Sequence, residues 1–158
     1  MANPLLAPPG TRFPEAGDER RPFEPREPLR GKVDFAEILS YHAPEDRKFT
    51  LLGAHEAGIP AAACFTVRPS DIFIDYLVRN ASFQAPGFVA GGSILVAAIE
   101  GFADQLGLEA LRLESVEANA TRDWYARQGF VDEGAPRQEP SWGTVYPMVK
   151  RVEPFGAP

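Results

Sequence analysis

One cysteine, two histidines and no long apolar run leave several protein classes without their raw material. A single thiol, Cys64, cannot form an internal disulfide and fits a reducing compartment. Its neighbours Ala61, Ala62, Ala63 and Phe65 mark it as a small core residue rather than a nucleophile. No spacing of histidine, cysteine or carboxylate suggests a metal site. Lysine- or arginine-rich blocks are missing and the net charge is −6, which disfavours an electrostatically driven nucleic-acid binder. The opening "MANPLLAPPG" has no charged leader and interrupts its apolar residues with proline, unlike a signal peptide. Nothing approaches membrane-spanning length, so no membrane association and a cytoplasmic location are expected. "NAS" at residues 80–82 fits the glycosylation pattern and is read as coincidence.

What is present suits one domain with a real core: 158 residues, 44% of them hydrophobic. Residues 1–30 hold seven of the sixteen prolines, and "RPFEPREPLRG" repeats proline every third residue. That spacing predicts an extended, flexible arm, with burial of Phe13 and Phe23 as the alternative. The domain proper is expected over residues 31–153, followed by a tail over 154–158.

Within it, "VDFAEILSYHA" is compatible with a short helix through Phe35, Ile38, Leu39 and His42, or with a strand. "KFTLLGAHEAGIPAAACFTV" predicts a hairpin, one strand running to about His55 and the next from Ile59 to Val67. "IFIDYLVR" follows as a third strand. In "GGSILVAAIEGFADQLGLEALRLESV", Leu95, Ala98, Ile99, Phe102 and Leu106 share one helical stripe, and Gly107 stands where a helix-ending glycine belongs. A buried strand comes next, which makes a strand–helix–strand crossover and favours parallel pairing there. "ANATRDWYARQGF" reads as a second helix stopped by Gly129, and "FVDEG" and "TVYPMVKRV" as closing strands. Pro147 inside the last suggests an edge, a bulge or a splayed strand. The expected class is mixed α/β: antiparallel N-terminal strands, a central β-α-β crossover, then a C-terminal helix and closing strands.

This order resembles the GNAT superfamily of N-acetyltransferases. The glycine turn with its helix and strand, the "WYARQGF" stretch and the "VYPMVKRV" strand carry the resemblance, over roughly residues 48–152. It implies transfer of an acetyl group from acetyl-CoA directly to an amine in a ternary complex, with no metal. The unpaired N–H groups and positive dipole end of the helix start would hold the pyrophosphate. That role falls on Ala90, Gly91, Gly92, Ser93 and Ile94, with glycine letting the phosphate approach the main chain. The resemblance places pantetheine-pairing backbone at Leu77 and Val78, between strands that splay apart. It makes Tyr125 the proton donor to the departing thiolate, whereas Trp124 fills the core. Asn119 is an offset candidate for cofactor contact. For the base that deprotonates the amine, Asp75 is the first candidate, because an acid inside an apolar strand needs a reason; an outward-facing charge on a half-exposed strand is the alternative of equal weight. Glu114, Glu117 and His55 come after it.

Three departures from the family pattern stand out. Gly87 occupies the place of the usual arginine or glutamine, Gln84 is out of register, and residues 81–92 contain no Arg or Lys. Cationic help would then come from Arg79 or Arg122. The connection from Val78 to Gly92 is longer than the family norm, and the N-terminal lobe is short. An open acceptor side for a peptide or protein amine, or a homodimer that completes the wall around a small amine, both fit a short lobe. The alternative function is a non-catalytic GNAT-like domain that binds a partner through its proline-rich arm.

Overall fold

The computed structural model describes residues 5–25, 34–88, 91–117 and 120–152. Strands β1 (Thr11–Arg12), β2 (Lys48–Gly53), β3 (Ala61–Val67) and β4 (Asp71–Arg79) pair successively and antiparallel. Helix α2 (Gly91–Gln105) then crosses over to β5 (Ala110–Val116), which lies parallel to β4. Helix α3 (Arg122–Arg127) and strands β6 (Val131–Asp132), β7 (Arg137–Glu139) and β8 (Gly143–Arg151) complete the chain. The sheet runs β1-β2-β3-β4-β5-β8-β6, with β7 also paired to β8. The segment compatible with either helix or strand is a helix, α1 (Phe35–Ser40). Asp34 caps it by accepting the Glu37 amide at 2.9 Å, and Phe35 and Ile38 turn inward.

Each sheet face has its own apolar cluster. On one, Leu95, Ile99 and Phe102 of α2 pack against Leu51, Phe65, Ile72, Ile74 and Leu111. Full burial of such a side chain stabilises by about 1.5–3 kcal/mol. On the other face Phe35 and Ile38 of α1 cover Leu52, Ala62, Cys64 and Val78. Leu106, expected on the inward stripe of α2, is instead exposed, because the helix ends at Gln105 and Gly107 turns the chain at φ 70°.

One irregularity shifts β4 from one cluster to the other. Cys64 pairs with Tyr76 but its neighbour Phe65 pairs with Ile74, which leaves Asp75 as the extra residue of a β-bulge. Before the bulge, Ile72 and Ile74 join the α2 cluster; after it, Leu77 packs on that side and Val78 on the α1 side. Since strand side chains alternate with period two, only an inserted residue can change the parity in this way.

The start of β4 is pinned ionically. Asp71, only 4% exposed, accepts from Arg68 Nε at 2.6 Å and from Arg112 Nη1 on β5 at 2.7 Å, and Arg112 also grips Glu133. These guanidiniums hold the Asp71 carboxyl below the usual carboxylate range, Arg68 foremost.

Residues 5–25, in the stretch expected to be a flexible arm, pack on the domain. Thr11 and Arg12 extend the sheet beside Gly53 and Leu52, and Leu5 is buried. Phe13 stacks on Phe102 at 6.0 Å and Phe23 on Phe35 at 4.4 Å. Asp18, 1% exposed, accepts from both terminal nitrogens of Arg12 at 2.9 and 2.7 Å. Proline-rich composition is thus compatible with packing here, because a few large apolar groups and one buried ion pair fix the path. Pro147 lies on interior β8, opposite Glu114 of β5, in the gap between the stretches paired to β6 and to β7. Its carbonyl accepts the Glu133 amide at 2.8 Å on that outer side, where the missing N–H breaks no ladder.

Candidate active site

Parallel pairing joins residues 71–74 to 110–113 only, although β4 continues to Arg79 and β5 to Val116. The two strands are clamped at the Asp71 end and part beyond the bulge, and two cavities open at that parting.

The larger, of about 580 Å³, lies on the α2 side. Gly91, Gly92 and Ser93 at the start of α2 line it, with Leu77 and Arg79 from the end of β4, Thr121, Trp124 and Arg127 along one stripe of α3, and Phe83 and Phe88 from the long connection. Threonine, tryptophan and arginine at i, i+3 and i+6 share a helix face, which is why α3 turns this set toward α2. The first residues of a fifteen-residue helix line the cavity, and a helix start offers main-chain N–H groups and its positive dipole end. Two guanidiniums stand in its wall, so the donor set suits a polyphosphate.

Packing supplies a reason for the two glycines beside the one read from the sequence. A Cβ on Gly92 would lie 3.0 Å from Trp124 Cζ2, and one on Gly91 would meet Pro60 Cβ at 3.3 Å. The missing side chain of Gly92 lets Trp124 of α3 pack closely against the start of α2, and that of Gly91 makes room for Pro60 and Ala61. The source of positive charge differs from the expectation. Arg122 does not line the cavity: it pairs with Asp132 and lies 4.0 Å over the Tyr146 ring. Arg79, foreseen, and Arg127, missed because it sits a full turn beyond Trp124, take that place.

The second cavity, of about 300 Å³, lies on the other side of the parting and is lined by Asp75, Tyr76, Glu114, Arg137, Glu139 and Trp142 among others. Arg137 reaches both Glu114 and Glu139. Strand β7 and Trp142 were not foreseen in the sequence. Asp75 has hydroxyl partners: its Oδ2 accepts from Tyr41 at 2.5 Å and from Thr66 at 2.9 Å. Burial, helped by Asp75, pushes the Tyr41 phenol above its usual range, so it stays a donor.

Leu77, Thr121 and Tyr125 belong to the walls of both cavities. Tyr125 is 9% exposed and is held edge-on between Trp124 at 5.2 Å and Phe130 at 5.8 Å. Its backbone carbonyl accepts the Phe130 amide, which fixes the "YARQGF" turn.

The other sequence candidates are placed as follows. The Val78 side chain enters the α1 cluster, so only its main chain can face a ligand. Ile94 lies within 3.5 Å of where a Cβ on Gly10 would stand, against the N-terminal segment and outside both cavity walls. Ala90 and Asn119 lie outside the described residues. Glu117 accepts the Tyr146 hydroxyl at 3.0 Å. His55 packs edge-on against Phe83 and Phe88, behind the cavity wall rather than in it. Cys64 is fully buried, and burial pushes its thiol up to about 12. Asn80, the glycosylation look-alike, is 7% exposed and donates both amide hydrogens, to Ile59 O at 2.7 Å and Pro22 O at 3.0 Å. Among the described residues no group of three metal-ligating side chains is found, and no helix is long and apolar enough to cross a membrane.

No family model and no curated protein matches the chain. Solved structures do. A ribosomal-protein alanine N-acetyltransferase from Escherichia coli superposes with a TM-score of 0.68 over 92% of this chain and 95% of its own, at 14% identity. Nourseothricin acetyltransferase gives 0.64 over 90% and 98%, at 15% identity. The PaiA N-acetyltransferase of Thermoplasma acidophilum, solved in complex with coenzyme A, gives 0.59 over 77% and 74%, at 15% identity. The chain has the fold of the GNAT N-acetyltransferases.

Proposed function

We propose that the protein is an N-acyltransferase that moves an acetyl group from acetyl-CoA to an amine by direct transfer. The observation that carries this reading is the position of Tyr125, in the common wall of two cavities on opposite sides of one strand parting. The α2 cavity is suited to the nucleotide and its phosphates, through the α2 N–H groups, Ser93, Arg79 and Arg127. The pantetheine arm would enter along Leu77, bringing the thioester to Tyr125. The acceptor amine would come from the other cavity, beside Asp75. Proton accounting follows from that placement. An ammonium acceptor loses one proton to Asp75, directly or through water, before its nitrogen attacks. A second proton leaves nitrogen as the C–N bond forms and the C–S bond breaks. Tyr125 supplies a proton to the departing thiolate and is replenished by that second one. Main-chain N–H groups at the bulge are suited to stabilise the oxyanion.

The partner-binding alternative is disfavoured. It was motivated by the missing basic residue at the glycine turn and the short N-terminal lobe, with the proline-rich arm as its binding element. Arg79 and Arg127 line the groove, and residues 5–25 are packed on the domain.

Thermal unfolding with acetyl-CoA, free CoA and ATP tests the reading. Ligand at a hundred times its Kd stabilises by about 2.7 kcal/mol, and the midpoint of a domain this size moves by roughly 2–4 °C per kcal/mol. A rise with both CoA species and none with ATP is expected. No rise at millimolar acetyl-CoA would sink the proposal.

A further inference from the structure

We propose that Tyr41 and Thr66 act with Asp75 as one three-oxygen proton acceptor, positioning its carboxylate at the acceptor cavity and sharing the proton it receives. This rests on the acyltransferase reading above and deepens it.

The argument is a count of protons. Three contacts close the triangle: Tyr41 to Asp75 at 2.5 Å, Thr66 to Asp75 at 2.9 Å, and Tyr41 to Thr66 at 2.6 Å. Each is a hydrogen-bond distance and needs one hydrogen between its oxygens. With Asp75 ionised, the two hydroxyls supply only two. A third, delivered to Asp75, fills the remaining contact without moving a heavy atom. Both hydroxyl contacts converge on Oδ2, so Oδ1 is the carboxylate oxygen with no partner among these contacts. The bulge explains why the group is aimed this way. Asp75 is the inserted residue, and its side chain stands against Thr66 of β3 and Tyr41 after α1 rather than in the regular alternation.

The chemistry balances. The acceptor ammonium gives one N–H proton to the carboxylate, its nitrogen regains a lone pair, and Asp75 becomes a neutral carboxyl that returns the proton to solvent after transfer. The charged and titratable neighbours are few. Lys48 stands 5.7 Å over the Tyr41 ring, Arg68, Cys64 and Tyr76 feel the Asp75 charge, and Glu114, Arg137 and Glu139 line the rest of the cavity. Asp75 is exposed at the cavity, so water reaches the carboxylate that the two hydroxyls hold.

Infrared pH-difference spectra of the full chain test this without any acceptor. The protonated-carboxyl C=O band that D75N removes is expected to appear at lower pH in Y41F and in T66V than in the parent, because each variant takes away the contact that the added proton fills. A band at higher pH would mean that the hydroxyls only donate to the ionised form, and would overturn the sharing. T66S, which keeps the hydroxyl, is expected to behave like the parent. A band at the same pH in all four proteins would overturn the proposal, as would T66S behaving like T66V. With spermidine, tryptamine and alaninamide as probe amines, the acid limb of kcat/KM is expected to move in the same direction for Y41F and T66V. An unmoved limb also overturns it. If acetyl-CoA leaves the melting midpoint unchanged, the acyl-transfer reading fails by itself, and the infrared result still decides whether the triangle takes the proton.

Discussion

The two cavities on either side of the β4–β5 parting are built on different principles. The α2 side is drawn from a few short local stretches: the end of β4 and the connection after it, the start of α2, and one stripe of α3. Its polar equipment is main-chain N–H groups and two arginines. The other side draws Asp75 from β4, Glu114 from β5, Arg137 and Glu139 from β7, and Trp142 from the β7–β8 turn, with Tyr41 and Thr66 behind Asp75. Its equipment is side chains, locked to one another by ion pairs and hydroxyl contacts. A site for a constant ligand can be made of backbone, which substitution cannot remove. A site for a particular acceptor needs side chains, and those come from wherever the fold brings them.

The strongest way to test this division is at the residue both cavities share. Tyr125→Phe is expected to lower turnover by roughly 10²–10⁴-fold, the usual range for a positioned acid or base. Acetyl-CoA is expected to raise the melting midpoint of the variant and of the parent equally. Equal turnover would remove Tyr125 from the chemistry. Next, Gly92→Val forces a branched side chain into a position where even a Cβ lies 3.0 Å from Trp124. Overpacking of this kind costs about 1–3 kcal/mol, measurable by denaturation, and the α2 cavity should lose acetyl-CoA affinity with it. Retained stability and affinity would mean that α3 can shift away from α2.

A smaller effect separates charge from shape. Arg79→Ala and Arg127→Ala are each expected to weaken acetyl-CoA binding about tenfold, or 1.4 kcal/mol, with little change in melting of the free protein. Calorimetry would read it, and an unchanged affinity would leave the phosphates to the backbone alone. The smallest effect lies away from both cavities. His42 Nδ1 accepts the Thr50 amide at 3.0 Å, and burial holds this imidazole below its usual range. The unfolded chain therefore binds a proton there before the folded one does. Stability should begin to fall as pH drops through about 6.5 and continue falling to the lower folded value. Asp71, also depressed, adds an acid-side loss that begins only near the ordinary carboxylate range, about 3.9. His42→Asn should flatten the upper window in urea titrations and leave the lower one in place.

How much of this was legible follows from the same contrast. The crossover, the α2 stripe and the Tyr125 turn announce themselves through periodicity and glycine placement, because each is a local property of one segment. The wall of the second cavity does not, since no local pattern reports that Tyr41 and Asp75 meet across 34 positions. The bulge did leave a trace. In "IFIDYLV" the inward residues step from Ile72 and Ile74 to Leu77, a break in alternation that an inserted Asp75 explains. The N-terminal segment misled for a physical reason. Proline spacing reports backbone conformation and says nothing of whether Leu5, Phe13 and Phe23 find a surface to cover. Arg127 escaped notice because helical phase, rather than proximity to the glycine turn, carries it into the groove.

The Asn80 side chain has a further consequence. It donates to Pro22 and Ile59 and accepts from the amides of Glu24 and Ser82, so one residue ties three chain segments at the rim of the α2 cavity. Opening any one of them strands a buried amide, a cost of about 1–3 kcal/mol. The N-terminal segment, the hairpin turn and the rim should therefore open as one cooperative unit in native-state hydrogen exchange. The Glu24 and Ser82 amides should share a single opening free energy, and a ligand in the cavity should slow exchange in a stretch of chain it never touches.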